Sequence, residues 1–83
     1  MVTIIFTRQA EKSFLKLPQS AQRKISKAIE KIEQQPLIGE KLAGEFAGQL
    51  KIYAWPYRVI YLFLAKEGVV TILEIGHRQG IYK

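Results

Sequence analysis

The chain has 83 residues, contains no cysteine, and carries thirteen Lys and Arg against seven acidic residues, a formal net charge of +6. This length predicts a single domain over residues 1–83, and the lack of cysteine excludes a disulfide framework and a thiolate metal site. The basic excess favours a polyanion or an acidic protein as the partner, with a surface kept basic for solubility as the simpler alternative.

No membrane association is expected from the sequence. The longest apolar stretch, residues 59–65, is too short to cross a bilayer. Residues 1–6 lack the basic segment and the small-residue cleavage site of a signal peptide, so they predict a strand instead. Because the chain also lacks cysteine, a cytoplasmic location is the expectation.

The first half of the chain predicts one strand and a helical hairpin. Residues 2–6 are rich in β-branched side chains, and Thr7 is a good N-cap for a helix over Arg8–Lys16. Pro18 separates this helix from a second one, which we expect to end at Gln34 or Gln35. The apolar residues of the second helix recur with a helical period: Ala21, Ile25, Ala28, Ile29 and Ile32.

The second half predicts a loop followed by three strands. Residues 36–48 contain three glycines and no sustained period, which is typical of an ordered loop. Strands are expected over 50–55, 57–64 and 69–75, with a corner at Pro56 and a hairpin turn over 65–68. The predicted fold is therefore α+β, in the order β-α-α-β-β-β. Its two layers are a helical hairpin and a four-stranded, largely antiparallel sheet.

Common catalytic sites are scarce in this sequence. One histidine cannot form a histidine metal cluster, and the absence of aspartate excludes a Ser/His/Asp triad. No metal ion or cofactor is expected. The residues that remain are cations and aromatic side chains of the sheet half: Lys41, Lys51, Tyr53, Tyr57, Arg58, His77, Arg78 and Tyr82. Guanidinium groups bind phosphate and aromatic rings stack on unpaired bases, so this set favours single-stranded RNA over duplex DNA as the ligand.

Each of these residues also has a structural interpretation. Arg58 lies within an apolar strand, and it either pairs with a carboxylate such as Glu74 or faces a ligand. His77 is more often a hydrogen-bonded residue at a strand end than a catalyst. The tyrosines of the sheet pack in many proteins without binding anything, and Tyr82 can serve to hold the end of the chain.

The ordered segments together resemble the RelE/ParE toxin superfamily over nearly the whole chain. The resemblance lies in Phe6-Thr7, Ala10-Glu11-Lys12, Leu15-Lys16-Leu17-Pro18, Gln22-Arg23-Lys24-Ile25, Lys41-Leu42-Ala43-Gly44, Tyr57-Arg58-Val59-Ile60-Tyr61, Ile75-Gly76-His77-Arg78 and Ile81-Tyr82. No one segment is specific, but their order and spacing are. The fold of that superfamily is the β-α-α-β-β-β arrangement predicted above.

The resemblance implies a metal-independent endoribonuclease that cuts messenger RNA on the ribosome and so inhibits translation. Catalytic roles then fall to five residues. Lys51 assists proton removal from the attacking 2′-hydroxyl, Arg58 stabilises the phosphorane charge, and Arg78 contacts the phosphate. Tyr82 orients or stacks on the RNA, and His77 shares the acid–base work. Lys41, Tyr53 and Tyr57 are the expected RNA-binding residues.

The sequence departs from that family pattern at two places on the second predicted strand. Tyr53 stands where many nucleolytic members have a second basic residue, and the corner is Trp55-Pro56 instead of a glycine-containing turn. The resemblance also implies a cognate antitoxin protein as partner. Two alternatives to the nuclease remain: a ParE-like, non-catalytic inhibitor of DNA gyrase, and an inactive relic that binds its antitoxin.

Overall fold

The computed structural model describes residues 2–77. Within that range no helix is both long and apolar enough to cross a membrane. In chain order the elements are β1 (Thr3–Phe6), α1 (Arg8–Lys16), α2 (Gln19–Gln34), β2 (Glu40–Lys41), a 3-10 turn (Gly44–Phe46), β3 (Leu50–Ala54), β4 (Tyr57–Leu64) and β5 (Val69–His77).

The helical hairpin forms as predicted, and local polar contacts define its ends. The hydroxyl of Thr7 accepts a hydrogen bond from the Ala10 N–H at 3.1 Å, which caps α1. At the junction of the helices, the side-chain amide of Gln22 donates to the carbonyls of Phe14 (3.0 Å) and Leu17 (3.3 Å). These two carbonyls lie at the C-terminal end of α1, and the Phe14 carbonyl also accepts from the Leu17 N–H at 3.1 Å.

The sheet has the strand order β1-β5-β4-β3-β2, with β1 parallel to β5 and the other neighbours antiparallel. It therefore contains five strands instead of the predicted four, within the same α+β fold. The additional strand, β2, lies inside the segment 36–48 that the sequence predicts as a loop. The other differences are at strand ends: β3 ends at Ala54, and β5 continues to His77.

The chain forms β2 because Tyr61 holds the preceding turn against the sheet. The Tyr61 hydroxyl donates to the Pro36 carbonyl at 2.8 Å and accepts from the Gly39 N–H at 2.9 Å. Gly39 leaves no room for a side chain, since an added Cβ would lie 2.6 Å from that hydroxyl oxygen. Burial raises the pKa of Tyr61, and the Gly39 N–H partly opposes this rise.

A β-bulge in β5 decides which residues of that strand reach the core. Ile60 is opposite Glu74, but the next residue, Tyr61, is opposite Ile72, so Leu73 is an extra residue in β5. The alternation of side chains shifts by one at this point, and both Ile72 and Ile75 are buried as a result. The hydroxyl of Thr7 donates to the Leu73 carbonyl at 3.0 Å, which joins the α1 cap to the bulge.

The hydrophobic core lies between the two helices and one face of the sheet. Helix α1 packs against β1 and β5, while α2 packs against β3 and β4. The buried residues of this layer are Ala10, Ile25, Ile32, Leu50, Val59, Tyr61, Val70, Ile72 and Ile75. The opposite face of the sheet, here called the open face, has neither helix packed on it.

Candidate functional site

Three of the predicted site residues meet on the open face. Tyr53 of β3 is directly opposite Arg58 of β4, and Lys51 precedes Tyr53 by two positions on the same face. The ring centroid of Tyr53 lies 5.2 Å from the Arg58 guanidinium carbon and 5.4 Å from the Lys51 ammonium nitrogen. Both distances are within the range of a cation–π contact. We call Lys51, Tyr53 and Arg58 the cation–tyrosine cluster.

The two cations of this cluster are partly withdrawn from water. The Lys51 side chain is 14% exposed, and its ammonium nitrogen lies 3.6 Å from the Glu40 carboxylate, which is 68% exposed. Ile60, opposite Lys51, is 2% exposed although it faces away from the helices. The Nε atom of Arg58 is buried as well. Partial burial and contact with one ring fix both cations in position before any ligand arrives.

Two other predicted residues, His77 and Tyr57, lie on the helix side of the sheet. They are directly opposite each other, so their side chains share a face, and their ring centroids are 5.9 Å apart in an edge-to-face arrangement. Tyr57 also packs against the core. The structure therefore separates this pair from the cation–tyrosine cluster by the thickness of the sheet.

Lys41 occupies a third location. It is opposite Leu50, a core residue, and thus faces the helix side at the β2 edge. There it lines a cavity of about 270 Å³ together with Leu37, Leu42 and Phe63. Lys51 and Lys41 belong to neighbouring strands, but they are not part of one surface.

The remaining predictions concern Arg78, Tyr82 and Glu74. Arg78 and Tyr82 lie outside the described residues. Glu74 is on the open face, opposite Ile60 and diagonal to Arg58, whose own opposite residue is Gly76.

Three residues near the cluster were not assigned a role from the sequence. Glu40 contacts Lys51 because β2 pairs with β3 and places the two residues opposite each other. A strand of two residues has no hydrophobic period, so β2 could not be predicted from the sequence pattern. Trp55 is 61% exposed at the β3–β4 corner, where its peptide bond to Pro56 is cis. Lys24 of α2 donates to the Trp55 carbonyl at 3.3 Å, a contact between residues 31 positions apart.

The positive charge is concentrated away from the cluster. Helices α1 and α2 contain seven Lys and Arg and three Glu, an excess of four positive charges. Residues 35–77, which contain the open face, have four Lys and Arg and four Glu. Among the described residues, the excess positive charge therefore lies on the helical hairpin.

The sequence matches a family model described as the ParE toxin of the type II toxin-antitoxin system, parDE, over residues 4–82. The fold is similar to a chain of the RelBE2 toxin–antitoxin complex from Mycobacterium tuberculosis, with TM-score 0.84 and 29% identity, over 93% of this chain and 98% of that one. It is also similar to the isolated Escherichia coli RelE toxin, with TM-score 0.83 and 24% identity, over 99% and 92% of the two chains.

A third similar structure is the YoeB/ParE toxin from Agrobacterium tumefaciens, with TM-score 0.82 and 15% identity, over 93% of this chain and 99% of that chain. No curated protein matches the sequence. The likeness to the Escherichia coli and Agrobacterium toxins concerns the fold alone.

Proposed function

We propose that this chain, which belongs to the ParE toxin family of type II toxin–antitoxin systems, is a toxin that cuts messenger RNA on the ribosome. Membership of this family identifies the chain as a toxin but does not specify the molecule on which the toxin acts. The observation that favours RNA is the cation–tyrosine cluster, in which one ring contacts both a guanidinium and an ammonium group. Two fixed cations on an open face suit one phosphodiester group.

In the proposed reaction the 2′-hydroxyl oxygen bonds to the adjacent phosphorus as the bond from phosphorus to the 5′-oxygen breaks. The Lys51 ammonium assists proton removal by stabilising the negative charge that forms on the 2′-oxygen as its proton passes to solvent, and Arg58 stabilises the charge that develops on the phosphoryl oxygens. The departing 5′-oxygen receives a proton from solvent, since His77 lies on the other side of the sheet from Lys51 and Arg58. The products are a 2′,3′-cyclic phosphate and a 5′-hydroxyl, and no metal ion or cofactor takes part.

Other residues of the predicted set act in binding. Tyr53 orients both cations, and Arg78 and Tyr82 remain predicted contacts to the phosphate and the RNA base. Lys41 and Tyr57 face the helix side in the structure. Their proposed contribution to RNA binding is therefore smaller than that of Tyr53 and lies at the edge of the site.

The proposed protein partner is a cognate antitoxin. The similar chain from Mycobacterium tuberculosis comes from a toxin–antitoxin complex. The helical hairpin, with four excess positive charges, suits an acidic segment that folds as it binds.

A second function is favoured by the same charge distribution. A gyrase inhibitor without catalysis needs a binding surface and no phosphate site, and the exposed Arg23 and Lys27 of α2 belong to the more positive half of the chain. On this alternative the cation–tyrosine cluster contributes to packing, and messenger RNA stays intact.

One experiment compares these functions directly. The chain is expressed without antitoxin as wild type, Arg58→Ala and Arg23→Ala, with primer extension on cellular transcripts and a gyrase supercoiling assay in parallel. We expect new transcript ends with wild type and Arg23→Ala, and none with Arg58→Ala. Blocked supercoiling with intact transcripts contradicts the proposal and supports the gyrase alternative. Normal growth on expression of wild type identifies an inactive relic.

A further inference from the structure

The β3–β4 corner presents an aromatic side chain to solvent beside the cation–tyrosine cluster. Trp55 is 61% exposed, and Tyr53, two residues earlier, is 46% exposed. Two residues of chain span at most roughly 7 Å, so the Cα atom of Trp55 lies within about one nucleotide's length of that of Tyr53. The corner is fixed in place, because Ala54 pairs with Tyr57 across it and Lys24 of α2 binds the Trp55 carbonyl.

The surroundings of Trp55 distinguish between an RNA base and an apolar protein surface as its ligand. Leu64, an exposed apolar residue of β4, lies at the far end of that strand, roughly 23 Å from Tyr57. Lys24 contacts the Trp55 carbonyl at the corner, and Tyr53 beside the corner contacts Arg58 and Lys51. Aromatic rings alternating with cations are typical of surfaces that bind single-stranded nucleic acid. Contiguous apolar patches mark many protein-docking surfaces instead.

We propose that Trp55 stacks on the unpaired RNA base next to the phosphate bound by Lys51 and Arg58. This inference rests on the proposed function, since it takes RNA as the ligand. The cations bind the backbone and the indole binds the adjoining base, so backbone and base contacts are one nucleotide apart. A purine offers the larger ring for stacking, so the site favours a purine at that position.

Intrinsic fluorescence gives a direct test, because Trp55 is the single tryptophan of the chain. The full-length protein is titrated with short single-stranded RNA that carries 2′-O-methyl groups, which prevent 2′-hydroxyl attack while leaving the bases intact. A strand of equal length with abasic positions serves as the probe for backbone binding alone. We expect saturable quenching by the RNA, stronger with purines, and weak quenching by the abasic strand.

Anisotropy of a labelled RNA then measures affinity independently of the tryptophan. We expect Trp55→Ala to weaken binding by about tenfold and Trp55→Phe to retain most of the affinity, because a phenyl ring still stacks. Leu64→Ala, the matched control at the far end of β4, leaves the affinity unchanged. Circular dichroism of each variant checks that the fold is intact, and Trp55→Phe keeps the test valid if Trp55→Ala does not fold.

The outcomes separate this inference from the proposed function. RNA binding without quenching, or equal affinity for wild type and Trp55→Ala, overturns the stacking proposal. Quenching by RNA together with no cleavage of unmodified transcripts overturns the nuclease and retains the stacking. If RNA does not bind and Trp55→Ala instead weakens antitoxin binding, the corner is a protein-docking surface and both proposals are wrong.

Discussion

The guanidinium carbon of Arg58 lies 5.2 Å from the ring centroid of Tyr53, its directly opposite residue on the neighbouring strand. Lys51 contacts the same ring at 5.4 Å. Tyr53, which stands where many nucleolytic members of the superfamily have a basic residue, therefore contacts both cations of the cluster. An aromatic ring at position 53 adds no charge, but it holds the two existing cations in fixed positions.

We therefore predict that replacing Tyr53 with alanine lowers RNA cleavage by about tenfold, the effect of losing cation–π contacts at a partly desolvated site. Tyr53→Phe keeps the ring and retains most of the activity. Single-turnover cleavage of a defined transcript on programmed ribosomes, at enzyme excess, measures the effect on the chemical step. Equal rates for Tyr53→Ala and wild type would show that the ring does not position the cations.

The ion pair between Lys51 and Glu40 predicts a gain in RNA affinity when the carboxylate is neutralised. Glu40→Gln removes the group that competes with phosphate for the Lys51 ammonium, 3.6 Å away. Because Glu40 is largely exposed, the gain is small, about twofold to fivefold. Titration with 2′-O-methyl RNA at low and high salt measures it, with Glu45→Gln as the control that removes the same charge elsewhere. A matching gain in the control would assign the effect to net charge.

Removing the Tyr61 hydroxyl should destabilise the protein. Tyr61→Phe leaves the Pro36 carbonyl without its donor and the Gly39 N–H without its acceptor, which costs about 1–3 kcal/mol in the free energy of unfolding. Urea unfolding at neutral pH measures this difference. Unchanged stability would mean that water replaces the hydroxyl at both groups.

The same pair of proteins should differ in its response to alkaline pH. Burial raises the pKa of Tyr61 in the folded state, whereas the unfolded chain has the ordinary value near 10. The unfolded state then loses its proton first, so wild-type stability falls as pH rises above about 10. The stability difference between wild type and Tyr61→Phe is therefore expected to shrink in that range. A constant difference from pH 7 to about pH 11 contradicts the prediction.

Thr7 is predicted to stabilise the fold through its hydroxyl. The hydroxyl caps α1 at the Ala10 N–H and donates to the carbonyl of Leu73 at the bulge. Thr7→Ala should cost about 1–2 kcal/mol, whereas Thr7→Ser keeps both hydrogen bonds and most of the stability. Chemical unfolding of the three proteins gives the values. Equal losses in the two variants would point to the Thr7 methyl group instead.

The helices and strands were largely predictable from local patterns. The helical period of Ala21, Ile25, Ala28 and Ile32 is independent of the rest of the fold, and Pro18 ends one helix wherever the hairpin packs. Strand β2 was missed because two residues, Glu40 and Lys41, have no period. They pair with β3 next to Gly39, whose N–H donates to the hydroxyl of Tyr61, a residue more than twenty positions away.

The candidate site was predictable in composition and less so in geometry. The presence of a set of cations and aromatic residues in the sheet half could be read from the sequence, because their chemistry does not depend on packing. Which of them come into contact depends on strand pairing between distant parts of the chain. The pairing register places Lys51, Tyr53 and Arg58 on the open face, and the extra residue Leu73 shifts the alternation of β5. Since successive side chains of a strand point to opposite faces, the bulge places His77 on the helix side and Glu74 on the open face.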